Sequence, residues 1–390
     1  MSKNIFKLRN VIAVAICLTV TAMLSGCDNV EPPDNKCFDC GCYIASITPP
    51  APFDFTSIVF RNNFAGGTYK IDKSGSNLRR IDVPGGGEPV RSNCGTRMVL
   101  TYSSFDTHIN EDNSISFINH QQRIYLVNTD GTNPVIIDRR DGIPGFFAGA
   151  DWSPDGTKIV YVTSDYRGAD LVLYDVLTQT RKVLVNKPHI SAPIFTPNGK
   201  QIVYGASTGT FIIDINGQNN QLFTKVSGLP VWSPQGNKIA FVMTTGKYGS
   251  PQIFVANACG CNPRQLTHTE SPHLIGNPRP PSQTFRQGNS NPQWTPDGRR
   301  IVYVSQENGS SEIFIMNADG RNQRRLTRAV EEFRGDRLPA VTPCGRYILF
   351  TSRRVYSNYV TDWIIKMTLD GRNERVLSRT GIFPIAVNTK

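Results

Sequence analysis

From residue 56 onward, apolar and polar positions alternate in short runs, the period of half-buried strands. Lys158-Ile159-Val160-Tyr161-Val162, Arg300-Ile301-Val302-Tyr303-Val304 and Tyr347-Ile348-Leu349-Phe350 are the clearest of them. Each follows one turn phrase, which reads Asp151-Trp152-Ser153-Pro154-Asp155-Gly156, Ile194-Phe195-Thr196-Pro197-Asn198-Gly199 and Val231-Trp232-Ser233-Pro234-Gln235-Gly236. It returns as Gln293-Trp294-Thr295-Pro296-Asp297-Gly298 and Ala340-Val341-Thr342-Pro343-Cys344-Gly345, with a worn copy at Val90-Arg91-Ser92-Asn93-Cys94-Gly95. Pro presets φ at the first corner, Asp or Asn tolerates the next, and Gly takes the left-handed position.

A second turn alternates with the first. Asn128-Thr129-Asp130-Gly131 and Asn317-Ala318-Asp319-Gly320 each join two alternating runs, with variants at Gly75, Gly217, Gly260 and Gly371 and a Gly-less one near Gln179. Two hairpins per repeat make four strands, and Gly95 to Gly345 covers five repeats averaging 50 residues. Four antiparallel strands per roughly 40–50 residues predict an all-β fold, a β-propeller of four-stranded antiparallel blades. First-type turns number six, while second-type turns number seven because Lys70 to Ile81 adds one. Ile382-Phe383-Pro384-Ile385-Ala386-Val387 reads as an orphan inner strand. Joined to three N-terminal strands near 56–60, 67–72 and 78–83, it closes a seventh blade and removes an open sheet edge. Seven blades are expected, with six as the alternative.

The first residues follow another pattern. Lys3, Lys7 and Arg9 precede a 13-residue apolar run, Val11 to Met23, too short for a bilayer core that needs about 20 residues. Leu24-Ser25-Gly26-Cys27 then resembles the lipobox of bacterial lipoproteins, which implies acylation of Cys27 and anchoring to a membrane; a plain secretory signal is the alternative. The resulting division is a signal peptide over 1–26, a Pro- and Cys-containing tether over 27–55, and a propeller over 56–390. Asp28 resembles an inner-membrane retention signal, and the choice of membrane stays open. The expected location is the bacterial cell envelope. Removing 1–26 takes away three bases and no acid, lowering the formal net charge from +11 to +8. That favours anionic partners such as lipid headgroups, acidic glycans or an acidic protein patch. No nucleic-acid motif is present, and none is expected as a partner.

The repeats resemble the WD-like repeats of the TolB β-propeller family over about residues 56–387. This resemblance implies a periplasmic or membrane-facing binding scaffold and transfers no partner. The chain departs from that family in its irregular blades, in leaving no room for an N-terminal α/β domain, and in counting seven blades rather than six.

Catalytic constellations are scarce. There is no Gly-x-Ser-x-Gly elbow and no phosphate-cradling loop followed by Lys-Ser/Thr. His268, Glu270 and His273 are close in sequence and could ligate a metal, the arrangement a lyase-like, metal-dependent carbohydrate-active enzyme would use. Exposed loop residues are the preferred reading, and no cofactor is expected. Loops joining strands two to three, and strand four to the next blade, share one face and collect the insertions, roughly 103–121, 138–149, 164–169, 268–290, 328–337 and 353–361. They carry Arg139, Arg140, Arg279, Arg286, Arg334, Arg353 and Arg354, interleaved with Phe146, Phe147, Phe285 and Tyr356. Arg and aromatic side chains together anchor binding surfaces. The expected function is therefore a membrane-anchored, non-enzymatic scaffold that holds a protein, peptide or acidic glycan partner on this face.

Export to an oxidising compartment favours disulfides. Cys37, Cys40 and Cys42 lie in the tether, and 14 residues from Cys42 to Thr56 reach at most about 46 Å. The expectation is that at least one of them bonds Cys94 or Cys344, in the turns of the blades flanking the closure. Bonding within the tether is the alternative.

Overall fold

The computed structural model describes residues 57–61, 68–81, 89–93, 95–110, 114–142, 145–224, 230–245, 250–269, 288–307, 310–328, 334–355 and 360–387. These residues form seven antiparallel sheets of four strands each and no helix. Blade 1 spans 90–141, blade 2 145–187, blade 3 191–224, blade 4 231–265, blade 5 289–325 and blade 6 334–378. Blade 7 is composite. Its inner strand, Ile382–Val387, pairs with Ser57–Arg61, which continues into Thr68–Asp72 and Arg79–Arg80. The register sets Ser57 against Val387 and Ile58 against Ala386, so the last described strand closes the ring against the first described one.

The turn chemistry forms as the sequence dictates. In each first-type turn the Gly N–H bonds back to the residue three positions earlier, as Gly156 to Ser153 O (2.9 Å) and Gly345 to Thr342 O (2.8 Å). Gly236 has φ +70°, and a Cβ there would lie 2.9 Å from Pro197 of the preceding blade's turn. Only glycine satisfies both demands. The repeat Asp residues close their own turns: Asp155 Oδ1 accepts the Thr157 N–H at 3.0 Å and Asp297 Oδ1 the Arg299 N–H at 3.0 Å.

The core lies between blades. Val160, Val162 and Leu171 of blade 2 pack against Ile202, Tyr204 and Ile213 of blade 3, and comparable clusters fill other boundaries. Polar atoms stitch the same seams. Trp152 Nε1 donates to Val90 O (3.1 Å) and Trp294 Nε1 to Val231 O (2.9 Å), each one blade back. Among the described residues four inner strands carry a bulge with a residue at positive φ: Gly149 (+49°), Ala192 (+41°), Asn291 (+51°) and Leu338 (+53°). At the boundary of blades 2 and 3 these bulges touch, because a Cβ on Gly149 would stand 2.7 Å from Ala192 Cα.

Two sequence readings change here. Residues 103–109 and 115–121 are strand and not loop. The second and third strands of blade 1, Arg97–Ile109 and Ile115–Asn128, continue as a paired ribbon well beyond the blade. Much of 138–149 is strand as well, ending Val135–Asp141 and opening Gly145–Trp152.

Candidate functional site: the loop face

The hairpins and crossovers opposite the short repeated turns define one face, and its side chains fall into two patches. The first lies over blades 1 and 2. Arg139 is exposed near the end of Val135–Asp141, whereas Arg140 is half-buried and held by Asp165 Oδ2 (2.8 Å) and Asp170 Oδ2 (3.3 Å) of blade 2. The Arg167 N–H hydrogen bond, reinforced by Arg140, keeps the Asp165 carboxyl below the ordinary carboxylate range. Phe146 and Phe147 separate, as neighbours on a strand must. Phe146 is 52% exposed, while Phe147 is buried edge-on against Tyr161, ring centroids 6.0 Å apart. Tyr166 is 74% exposed with the Arg167 guanidinium 5.1 Å over its ring.

Beneath this patch sits a buried anchor. Asp138 of blade 1 accepts the Tyr161 hydroxyl (2.8 Å) and Arg181 Nη1 (2.6 Å) of blade 2. Burial, with the Asp138 charge second, pushes the Tyr161 phenol upward, so it stays a donor.

The second patch lies on blade 6. Arg353 is exposed, and the Arg354 guanidinium stacks 4.9 Å from the Trp363 ring centroid, with Arg379 at 5.5 Å. Asp362 is paired with Arg337 at 2.7 Å. Arg334 opens the inner strand Arg334–Val341 opposite Arg354 in the register. The carboxylates Asp165, Asp170 and Asp362 are thus matched by Arg140 and Arg337, while Arg139 and Arg353 stand exposed.

Trp363, Tyr166 and the Asp165–Asp170 pair are contributors that sequence reasoning did not single out. Tyr166 was findable as an aromatic inside a hairpin turn. Arg279, Phe285, Arg286 and Tyr356 lie outside the described residues, as do Glu270 and His273. His268 is exposed, and its neighbour Thr269 is tied to Gln252 and Asn289 (Asn289 Nδ2 to Thr269 Oγ1, 3.0 Å). No group of three His, Cys, Asp or Glu among the described residues is arranged to hold a metal ion.

Residues 96–380 match the TolB beta propeller domain. The chain belongs to this propeller family. It is similar to the Tol-Pal system protein TolB of Francisella tularensis subsp. mediasiatica, 27% identical over 255 residues that cover 63% of this chain and 53% of that protein. The chain therefore spans about half the length of the curated relatives it matches. Its fold resembles TolB from Acinetobacter baumannii (TM-score 0.50, 19% identity, 83% of this chain and 79% of that one). It also resembles an oligogalacturonate lyase in complex with manganese (TM-score 0.54, 15% identity, 76% and 82%).

The cysteines remove one arm of the expected staple, the one through Cys344, while Cys94 lies outside the described residues. Cys344 is a free thiol, set in the blade 6 turn 3.3 Å from Thr342 Oγ1 and packed into the blade 6–7 core. It makes no staple to the tether. Cys259 is also free, and Cys261 is disulfide-bonded. Since Cys259, Cys261 and Cys344 are the described cysteines, the partner of Cys261 lies outside the described residues. Cys27, Cys37, Cys40, Cys42 and Cys94 lie outside them too.

Proposed function

We propose that the protein is a non-enzymatic scaffold of the bacterial envelope, anchored through acylated Cys27, whose loop face holds the acidic surface of a partner protein. The observation that carries this reading is the charge arithmetic of that face. Its half-buried carboxylates are neutralised within the fold, and exposed Arg139, Arg353 and Phe146, with Tyr166 and Arg167, are left to meet a ligand. Family membership with a Tol-Pal system protein supports an envelope setting and a protein partner.

The test is capture from detergent-solubilised envelope by the intact chain and by the Arg139→Glu/Arg353→Glu double variant. Exposed charges are screened beyond about 8 Å at physiological ionic strength, so capture should weaken with salt and with the double variant. Equal recovery by both chains contradicts the assignment. Cys27→Ser should release the folded chain from the membrane fraction; a variant still pelleting with membranes contradicts the anchor.

A further inference from the structure

The two hairpin turns of each blade share the face opposite the loop face, and one position in them differs sharply between blades. It is the residue that follows the turn glycine. In blades 5 and 6 all four such residues are arginine: Arg299 after Gly298, Arg321 after Gly320, Arg346 after Gly345 and Arg372 after Gly371. At the other turn glycines the position holds Thr, Ser, Asn, Gln or Cys, and once Lys200. The turn itself therefore does not call for arginine. Its geometry rests on the glycine and on bonds such as Gly320 N–H to Asn317 O at 2.8 Å.

All four arginines are exposed. Arg299 and Arg346 make no ion pair among the described residues. Arg321 and Arg372 lie 3.8 and 3.5 Å from Asp319 and Asp370 of their own turns, at 84% and 83% exposure, and pairs so exposed hold little. The turns of the two blades touch. A Cβ on Gly345 would meet Pro296 at 3.6 Å, and Arg324 of blade 5 donates to Asp370 O of blade 6 at 2.9 Å. Segments 295–300, 317–325, 342–347 and 366–375 thus form one surface, with nine Lys or Arg against four Asp or Glu. The matching segments of blades 1 and 2, at 92–97, 128–135, 153–158 and 175–182, carry four against three.

A second observation is where the chain enters. Ser57 pairs with Asp72, whose carbonyl accepts the Gly75 N–H of a second-type turn at 2.8 Å. Everything N-terminal to Ser57 therefore joins the propeller on this same face, in blade 7, which packs on blade 6. There Arg79 and Arg80 are exposed, and so is Leu78 beside them, at 52%.

We propose that the turn face of blades 5 to 7 docks on the anionic headgroups of the membrane and so directs the loop face away from the bilayer. The proposal rests on the Cys27 anchor only for the high local concentration of lipid. A sheet of phosphates meets arginines spread over four turns, which a single small anion cannot. Each arginine at an anionic surface strengthens binding roughly fivefold, so the patch orients an anchored chain and does not by itself hold an unanchored one through fractionation.

The experiment is arginine footprinting of the full chain with phenylglyoxal, read residue by residue by mass spectrometry. Vesicles are phosphatidylcholine alone or with phosphatidylglycerol added. Arg299, Arg321, Arg346 and Arg372 should react at least about fivefold more slowly with the anionic vesicles and recover in high salt, while Arg139 and Arg353 react equally with both. Combining Arg299→Thr, Arg321→Thr, Arg346→Thr and Arg372→Thr installs the residue that blades 1 and 2 carry after glycine. This fourfold variant should keep its thermal unfolding and lose the preference for anionic vesicles in flotation, which Arg139→Glu/Arg353→Glu should retain. Cys27→Ser should keep the footprint at high lipid concentration, so failure of the anchor and failure of this docking give different results. Equal reaction with both vesicles, equal slowing of Arg139 and Arg353, or an unchanged preference in the fourfold variant overturns the proposal. Slowing by polygalacturonate and not by anionic vesicles overturns it in favour of an acidic glycan.

Discussion

Asp151 Oδ2 accepts the backbone N–H of Phe195 at 2.7 Å, joining the inner strands of blades 2 and 3 across their seam. Burial pushes the Asp151 carboxyl up to about 7, only partly opposed by the Phe195 and Trp152 N–H donors.

This shift makes stability pH-dependent in a defined direction. Between about pH 4 and pH 7 the native Asp151 holds a proton that the unfolded chain has lost. Stability should therefore fall as pH rises through that window, by up to about 1.4 kcal/mol per pH unit, and level off above it. Asp151→Asn keeps an acceptor for Phe195 and should remove this fall. Urea midpoints from about pH 5 to about pH 8 check it, and parallel profiles for the two chains would count against the assignment.

Gly149 tests the neighbouring contact. It combines φ +49° with a Cβ position 2.7 Å from Ala192 Cα, so Gly149→Ala should cost about 2–3 kcal/mol. Gly142 has φ +74° and nothing within 4 Å, so Gly142→Ala should cost only the conformational penalty, about 1 kcal/mol. Equal losses by denaturant titration would mean that the bulges do not bear on each other.

The repeat tryptophans give a paired comparison. Trp294→Phe leaves the Val231 carbonyl without its indole donor and should cost about 1–3 kcal/mol. Trp232 Nε1 is buried with no hydrogen-bond partner among the described residues, so Trp232→Phe should cost under about 1 kcal/mol. Thermal unfolding of the two variants, side by side, decides this.

The hairpin phrases made the blades legible because their chemistry is local: Pro, Asp and Gly within six residues fix each turn. Blade 7 was legible because Pro384 and its apolar neighbours repeat the inner-strand pattern. The site was less so. Arg140 looked available in sequence, and its partners Asp165 and Asp170 sit 25 and 30 residues away on the next blade. Phe146 and Phe147 look equally exposed in sequence, since alternation says that one faces inward and only the register says which. In sequence the ribbon of blade 1 resembles a loop, because Ser103, Ser104, Asp106 and His108 dilute its alternation.

Cys261 yields a further expectation. It lies in the turn between Ser250–Asn257 and Arg264–Gln265, on the face where Ser57 begins the first strand. Asn93 and Gly95, which flank Cys94, sit three blades away, whereas a disulfide requires Cα atoms within about 7 Å. The partner should therefore be Cys37, Cys40 or Cys42, within about 50–66 Å of extended chain from Ser57. A non-reducing peptide map should find Cys261 bridged to the tether and Cys344 alkylated; Cys261 alkylated without reduction would contradict it.

The central claim concerns which face meets a partner, and crosslinking in living cells tests it most directly. A photoreactive residue replaces Phe146 on the loop face, or Leu177, which is 62% exposed in a turn on the opposite face of blade 2. Irradiation should give a discrete protein adduct from position 146 and none from 177. Adducts from 177 with none from 146 would contradict the account.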